Sequence, residues 1–187
     1  MAKIGLNNFR YSVLTEAENG TPSYAGPKKP AKAVSCSVEP TNNSAELYAD
    51  DGLAESDYGF SKASVTMGVD EDDQQTMADL LGHSVDEESQ AMTRNVGDTA
   101  PYVGFGRIVT KMVNGKYKYK VEFLYKVKFA EPQQSNTTKG DSVEFGTVEI
   151  TGTASALANG DWSITKTFDT KTEAVTYLEG LMKKTSV

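Results

Sequence analysis

Residues 102–129 read YVGFGRIVTKMVNGKYKYKVEFLYKVKF, and this stretch decides the fold. Asn114-Gly115 is the favoured pair for a two-residue type I′ turn, which demands a positive φ at both positions. On its C-terminal side Tyr117, Tyr119, Val121, Phe123, Tyr125, Val127 and Phe129 alternate with Lys118, Lys120, Glu122, Lys126 and Lys128. Period-two alternation is the mark of a strand with one buried face. The stretch therefore predicts an antiparallel hairpin whose second arm buries the aromatic and branched residues and exposes the lysines.

Outward from this hairpin the same pattern recurs. Residues 9–15 alternate Phe9, Tyr11 and Val13 with Arg10 and Ser12. Residues 32–39 bury Val34, Cys36 and Val38, and residues 61–69 bury Ala63, Val65, Met67 and Val69. A second hairpin is expected from residues 142–157 and 162–168 around Asn159-Gly160, with a bulge at Gly146 where the apolar phase shifts. Residues 70–81 predict a helix capped by Asp70 and ended by Gly82. Residues 170–183 predict another, opened by the capping box Thr170 and Glu173. About seven strands and two peripheral helices make the chain mainly β. The expected fold is one domain over residues 1–187, an antiparallel β-sandwich or barrel with one or two flanking helices.

Residues 39–60 interrupt this regularity. They read as a long turn-rich loop, with Pro40, Asn42, Asn43 and Ser44 as turn formers, a short strand-like piece at 45–49, and then Asp50-Asp51-Gly52. Tyr48, Leu53, Tyr58 and Phe60 supply apolar contact groups. Loops of this length inside a domain are usually functional or disordered, and one that carries its own contact groups is suited to engaging a partner. The charge is also uneven. The net charge of -7 divides into 15 acidic and 2 basic side chains over residues 39–98, with net +3 on either side of that block. Complementary blocks suit contacts between copies of one chain.

Several functional classes find little support. No run approaches the roughly 18 apolar residues of a membrane span, and the first residues lack the apolar core of a signal peptide. Cys36 is the only cysteine, so an internal disulfide is excluded. His83 is the only histidine, beside Gly82, and a surface or capping role is expected of it. Asp70, Glu71, Asp72 and Asp73 lack the glycine and the final glutamate of an EF-hand loop. Asp50-Asp51 have no base or metal ligand beside them. Gly104-Phe105-Gly106 lacks the third glycine of a dinucleotide fingerprint and only faintly matches an RNA-recognition strand. The lysines and tyrosines of residues 116–120 point to opposite sides of a strand, which breaks up a base-stacking platform. No catalytic residue, metal site or cofactor is expected.

A resemblance adds to this. Ser35-Cys36-Ser37-Val38-Glu39-Pro40, followed by Asn43-Ser44-Ala45-Glu46-Leu47-Tyr48-Ala49-Asp50-Asp51-Gly52, resembles the major tail tube proteins of long-tailed phages of Gram-positive bacteria. Ile4-Gly5-Leu6-Asn7-Asn8-Phe9, Leu80-Leu81-Gly82-His83 and Ala100-Pro101-Tyr102-Val103-Gly104 are similar to other parts of that family in the same order. Gly115-Lys116-Tyr117, Leu124-Tyr125-Lys126, Thr138-Lys139-Gly140-Asp141 and Val143-Glu144-Phe145 extend the likeness through most of the chain.

The resemblance implies a non-enzymatic virion protein whose copies form hexameric rings, stacked into a tube for DNA delivery. It implies assembly in the host cytoplasm, residence in the virion tail, and contacts with a tape measure protein and with tail terminator and initiator proteins. It implies that the long loop reaches an adjacent ring, making Glu46, Tyr48, Asp50, Asp51 and Glu55 inter-ring candidates, with Lys118 and Lys120 as basic complements. The flanking strands would line the channel through Ser35, Ser37, Glu39, Lys62, Ser64 and Thr66. DNA would pass without specific binding, because each phosphate neutralised by a fixed cation adds affinity. Lys62 departs from that chemistry unless it pairs with Glu39 or an acid of a neighbouring subunit, or does not face the lumen. Two other readings stay open: a single-stranded nucleic-acid-binding β-barrel, and the tube of a headless tail-like bacteriocin.

Overall fold

The computed structural model describes residues 2–17, 21–49, 52–86, 88–134 and 147–183. In chain order the strands are β1 (Ala2–Glu16), β2 (Pro22–Tyr24), β3 (Ala33–Ala49) and β4 (Gly52–Val69), followed by helix α1 (Gln74–Leu81). Next come the short pair β5 (Ser84–Val85) and β6 (Met92–Thr93), then β7 (Val103–Val113), β8 (Lys116–Phe129), β9 (Val148–Ser155), β10 (Ser163–Phe168) and α2 (Lys171–Leu181). The chain is mainly β, an antiparallel sandwich with helices on its flanks. Its large sheet runs β2-β1-β7-β8-β9-β4-β3, and β10 also pairs with β8.

The Asn114-Gly115 hairpin forms as expected, with φ of 50° and 75° at the two turn residues. Its second strand does not keep one face. Val121 and Phe123 join a core beneath α2, whereas Leu124, Val127 and Phe129 join the main core. The register explains this, since Val103 opposes Val127 while Phe105 opposes Leu124. The extra residue on β8 is a bulge, and it turns the following side chains over. One strand thereby furnishes two cores.

The main core gathers Phe9 and Tyr11 from β1, Val65, Met67 and Val69 from β4, Phe105 from β7 and Ile150 from β9, closed by Met77, Leu80 and Leu81 of α1. The second packs Ala174, Leu178 and Met182 against Ile108, Val121 and Phe123. Fully burying one such side chain stabilises by roughly 1.5 to 3 kcal/mol. Polar ties fix both helices. The Tyr11 hydroxyl donates to Asp79 of α1 at 2.8 Å, and Arg10 pairs with Glu179 of α2 at 3.0 Å.

Four further expectations about the fold need correction. Val34 is 49% exposed, because Ala33 opposes Val69 and Ser35 opposes Gly68; the bulge puts Ala33, with Cys36 and Val38, against the core instead. Helix α1 begins later than expected and is capped by Asp73, whose side chain accepts from the Thr76 amide at 2.9 Å. Asp70 accepts from the Lys32 amide at 2.7 Å and so ties the base of β3 to that of β4.

The expected hairpin around Asn159-Gly160 is not made. The turn exists, with the Leu157 amide donating to the Asp161 carbonyl at 2.8 Å, but β9 and β10 both pair with β8 and not with each other. Ser155 opposes Lys126 and Ser163 opposes Leu124, so the chain leaves one ladder and rejoins it in the same direction. The expected bulge at Gly146 lies outside the described residues.

Residues 39–60 are the fourth. They are not a loop: β3 and β4 continue as one hairpin through Asn42 opposite Phe60 to Ala49 opposite Gly52. Pro40 and the asparagines are poor strand formers, but cross-strand pairing outweighs such local preference. Strand β3 is also an edge of the sheet, where proline is tolerated.

Candidate assembly surfaces

The outer face of the β3-β4 half of the sheet carries the first candidate surface. Directly opposed residues in an antiparallel pair share a face. Ser37, Thr66 and Thr151 form one such row, and Glu39, Ser64, Thr153 and Lys128 form the next. Thr41 opposite Lys62 continues it, and Ser35 stands opposite Gly68. All six residues expected on this surface therefore do lie on one face. Ser35, Ser37, Glu39, Lys62 and Ser64 are exposed and Thr66 is half-buried.

Sequence reasoning missed Thr41, Glu149, Thr151, Thr153 and Lys128 as neighbours on the same face. The signal was present in residues 149–155, where Glu149, Thr151, Thr153 and Ser155 alternate with Ile150, Gly152 and Ala154. What pattern alone could not supply was the pairing of β9 with β4. Lys62 stands opposite Thr41 and makes no ion pair among the described residues. The face holds Glu39 and Glu149 against Lys62 and Lys128, so its charge is balanced.

The second surface is the arm formed by β3 and β4 beyond the core. A register shift between Thr41 and Asn42 leaves Ser61 as an extra residue on β4 and turns Phe60 inward. Phe60 then stacks on Trp162 with ring centroids 4.3 Å apart and planes 10° from parallel. Two strand positions further out Tyr58 is 65% exposed, opposite Ser44. Of the inter-ring candidates, Glu46 opposes Ser56, Glu55 opposes Leu47 and Tyr48 opposes Leu53 along the arm backbone. Asp50 and Asp51 lie outside the described residues.

At the root of the arm lies a cavity of about 410 Å³ between β3 and the β7-β8-β10 layer. Arg107 donates through Nε and Nη2 to Glu122 Oε2, both at 2.7 Å, and through Nη1 to the Cys36 carbonyl at 2.9 Å. Lys120 Nζ lies 2.5 Å from the other Glu122 oxygen. Burial works to raise the Glu122 carboxyl, but Lys120 and Arg107 overcome it and hold the group below the usual glutamate range. Burial raises the Cys36 thiol, in keeping with a small residue packed against the core.

This changes the roles expected of the two lysines. Lys120 points into the cavity and is held by Glu122, and Lys118 pairs with Asp169, so both already have acidic partners within the chain. Further along β8, Lys126 pairs with Glu16 at 2.5 Å.

His83 is not a surface residue. Its side chain is 5% exposed, with Nδ1 2.8 Å from Asp98 and Nε2 on Glu131. The hydrogen bond that His83 donates to Asp98 raises its pKa against the opposing effect of burial, and Glu131 adds to the rise. The cluster clasps the end of α1 and the turn at residues 95–98 to the chain leaving β8.

The glycines of Gly104-Phe105-Gly106 are explained by packing. A Cβ on Gly106 would come within 2.3 Å of Leu178 Cδ1, and one on Gly104 within 2.6 Å of the Tyr24 ring. They let β7 lie close under α2 and β2. Among the described residues no group of three or more His, Cys, Asp or Glu is placed to hold a metal ion. No helix in them is long and apolar enough to cross a membrane. In comparisons with known proteins, no family model and no curated protein matches the chain.

Proposed function

We propose that this chain is a structural subunit of a phage tail tube, whose work is assembly with copies of itself around a channel that passes DNA. The observation that carries the reading is the hydroxyl face over β3, β4 and β9. Serines and threonines stand there in register on three neighbouring strands, beside balanced charges. Such a surface is wettable, has only Tyr102, beneath Lys128, as an aromatic beside its described positions rather than a row of rings for bases, and carries no excess of cations to hold phosphates. It suits a wall along which a polyanion must slide.

Two further features support it. Among the described residues strand β3 is an edge of the sheet and β10 pairs only with β8, so each leaves a strand edge unpaired there. Unpaired edges favour association with further strands, and repeated head-to-tail contacts close into rings. The arm extends about eight residues per strand past the last core contacts, or about 26 Å at a rise of roughly 3.3 Å per residue. That is reach enough to engage a neighbour, as expected of Glu46, Tyr48, Asp50, Asp51 and Glu55. The predominance of lysines already held by acids along β8 weighs against a nucleic-acid platform there.

Negative-stain microscopy of the purified protein tests the proposal. Rings or hollow tubes, formed alone or on addition of a tail initiator, are expected. Persistent monomers at high concentration with initiator present would overturn it.

A further inference from the structure

The cavity at the root of the arm holds an arrangement that a purely structural interior has no need of. Its charged end combines Arg107, Lys120 and Glu122, two cations on one carboxylate, which leaves a net charge of +1. Both Glu122 oxygens are occupied, Oε2 by Arg107 and Oε1 by Lys120. The side chains of Arg107, Lys120 and Glu122 are only 14%, 25% and 19% exposed, so the surplus charge is largely withdrawn from water. A half-buried cation without a counterion is costly. Lys120 has three ammonium donors and uses one on Glu122. Ser163 and Thr165 of β10 line the same space. The remaining walls are apolar, with Val38, Leu124 and Trp162 among them. A volume of about 410 Å³ lies within the usual range for a small-ligand site, and apolar walls with a few convergent polar groups are its usual chemistry.

We infer that this cavity is a carboxylate-binding site, taking an acid group borne on an apolar body. The carboxylate sits against Lys120 and the β10 hydroxyls and supplies the missing negative charge, while the apolar body lies along Val38, Leu124 and Trp162. Two sources carry this chemistry: a free amphipathic acid, or an acidic side chain entering from a second copy. Binding of a free acid does not depend on tube formation, so either can fail without the other.

Trp162 is the only tryptophan and lines the cavity, so its emission reports occupancy directly. Octanoate titrated into dilute full-length protein is expected to blue-shift and saturate that emission, whereas octylamine and octanol leave it unchanged. Lys120→Met should weaken the octanoate response at least tenfold. Should that variant fold poorly, Thr165→Glu, which adds a carboxylate on the strand position facing Glu122, serves instead and should also abolish the response. A Trp162 shift that grows with protein concentration and is competed by octanoate identifies the second copy as the source. No saturable response to octanoate together with no concentration dependence would overturn the inference, as would equal responses to octylamine or octanol.

Discussion

Phe60 and Trp162 lie ring on ring, 4.3 Å between centroids and 10° from parallel, and this contact fastens the root of the arm to the opposite layer of the sandwich. It exists because the extra residue Ser61 rotates Phe60 off the outer face. Phe60→Ala removes both the stacking, worth about 0.5 to 1.5 kcal/mol beyond burial, and part of the apolar area. A loss of about 2 kcal/mol in urea denaturation is expected, with a red shift of Trp162 emission in the native state. An unshifted emission would show that the ring contact is not made in solution.

Gly106 tests the close approach of β7 to α2. A methyl group there meets Leu178, which is fully buried beneath the helix. Gly106→Ala should therefore destabilise by about 1 to 3 kcal/mol, the usual cost of overpacking. Hydrogen exchange should quicken first in residues 171–181. Pairing the change with Leu178→Ala should recover part of the loss, because the clash and the cavity occupy the same space.

The enclosed histidine makes stability depend on pH. An unperturbed histidine titrates near about 6.5, and Asp98 and Glu131 raise His83 above that when the chain is folded. Its contribution is fully present below the unfolded value and is lost as pH rises through the folded one. Denaturation midpoints measured from pH 6 to 9 should fall across that interval. His83→Gln should flatten the profile there; an unchanged slope would place the titration elsewhere.

Glu122 acts with the opposite sign. Its carboxyl is held below the ordinary glutamate range when folded, so its contribution is present above the unfolded value and fades as pH drops through the folded one. Arg107→Met removes two hydrogen bonds to Glu122 and the one to the Cys36 carbonyl. A loss of about 3 kcal/mol at neutral pH is expected, at the lower end of what breaking a buried ion pair costs. The loss should shrink below about pH 4, where carboxyls protonate.

Substitution of Asp50 and Asp51 tests the proposed assembly role separately from folding. Replacing both by Lys is expected to change stability by no more than about 0.5 kcal/mol and to leave the thermal midpoint within about 2 °C. Assembly should be impaired, as read by sedimentation or microscopy. Unchanged assembly would remove these two residues from the contact.

The parts of the fold legible in the sequence were those fixed by short-range rules. Asn114-Gly115 specified its turn, Thr170 with Glu173 specified the start of α2, and Gly82 specified the end of α1 through a φ of 81°. What escaped was set by pairing at a distance. The bulges at Val34, at Ser61 and after Leu124 reverse which side chains face inward, and each depends on the partner strand. The outer hydroxyl face was half legible: Ser37 and Thr66 follow from alternation, but their neighbour Thr151 follows only from the docking of β9. The Arg107-Glu122-Lys120 cluster was hidden because alternation treats every charged residue on β8 as facing solvent, and the sandwich leaves an internal space that one such row enters.

The collinear placement of β9 and β10 along β8 has a kinetic consequence. Among the described residues strand β10 pairs only with β8, and α2 rests on residues of β7, β8 and β10. Strands β9 and β10 therefore form no hairpin with each other: β10 docks on β8, and β9 lies between β8 and β4. Non-local pairing of this kind slows folding. A change that delays the central hairpin is therefore expected to hold back the closing strand β10 and the terminal helix together.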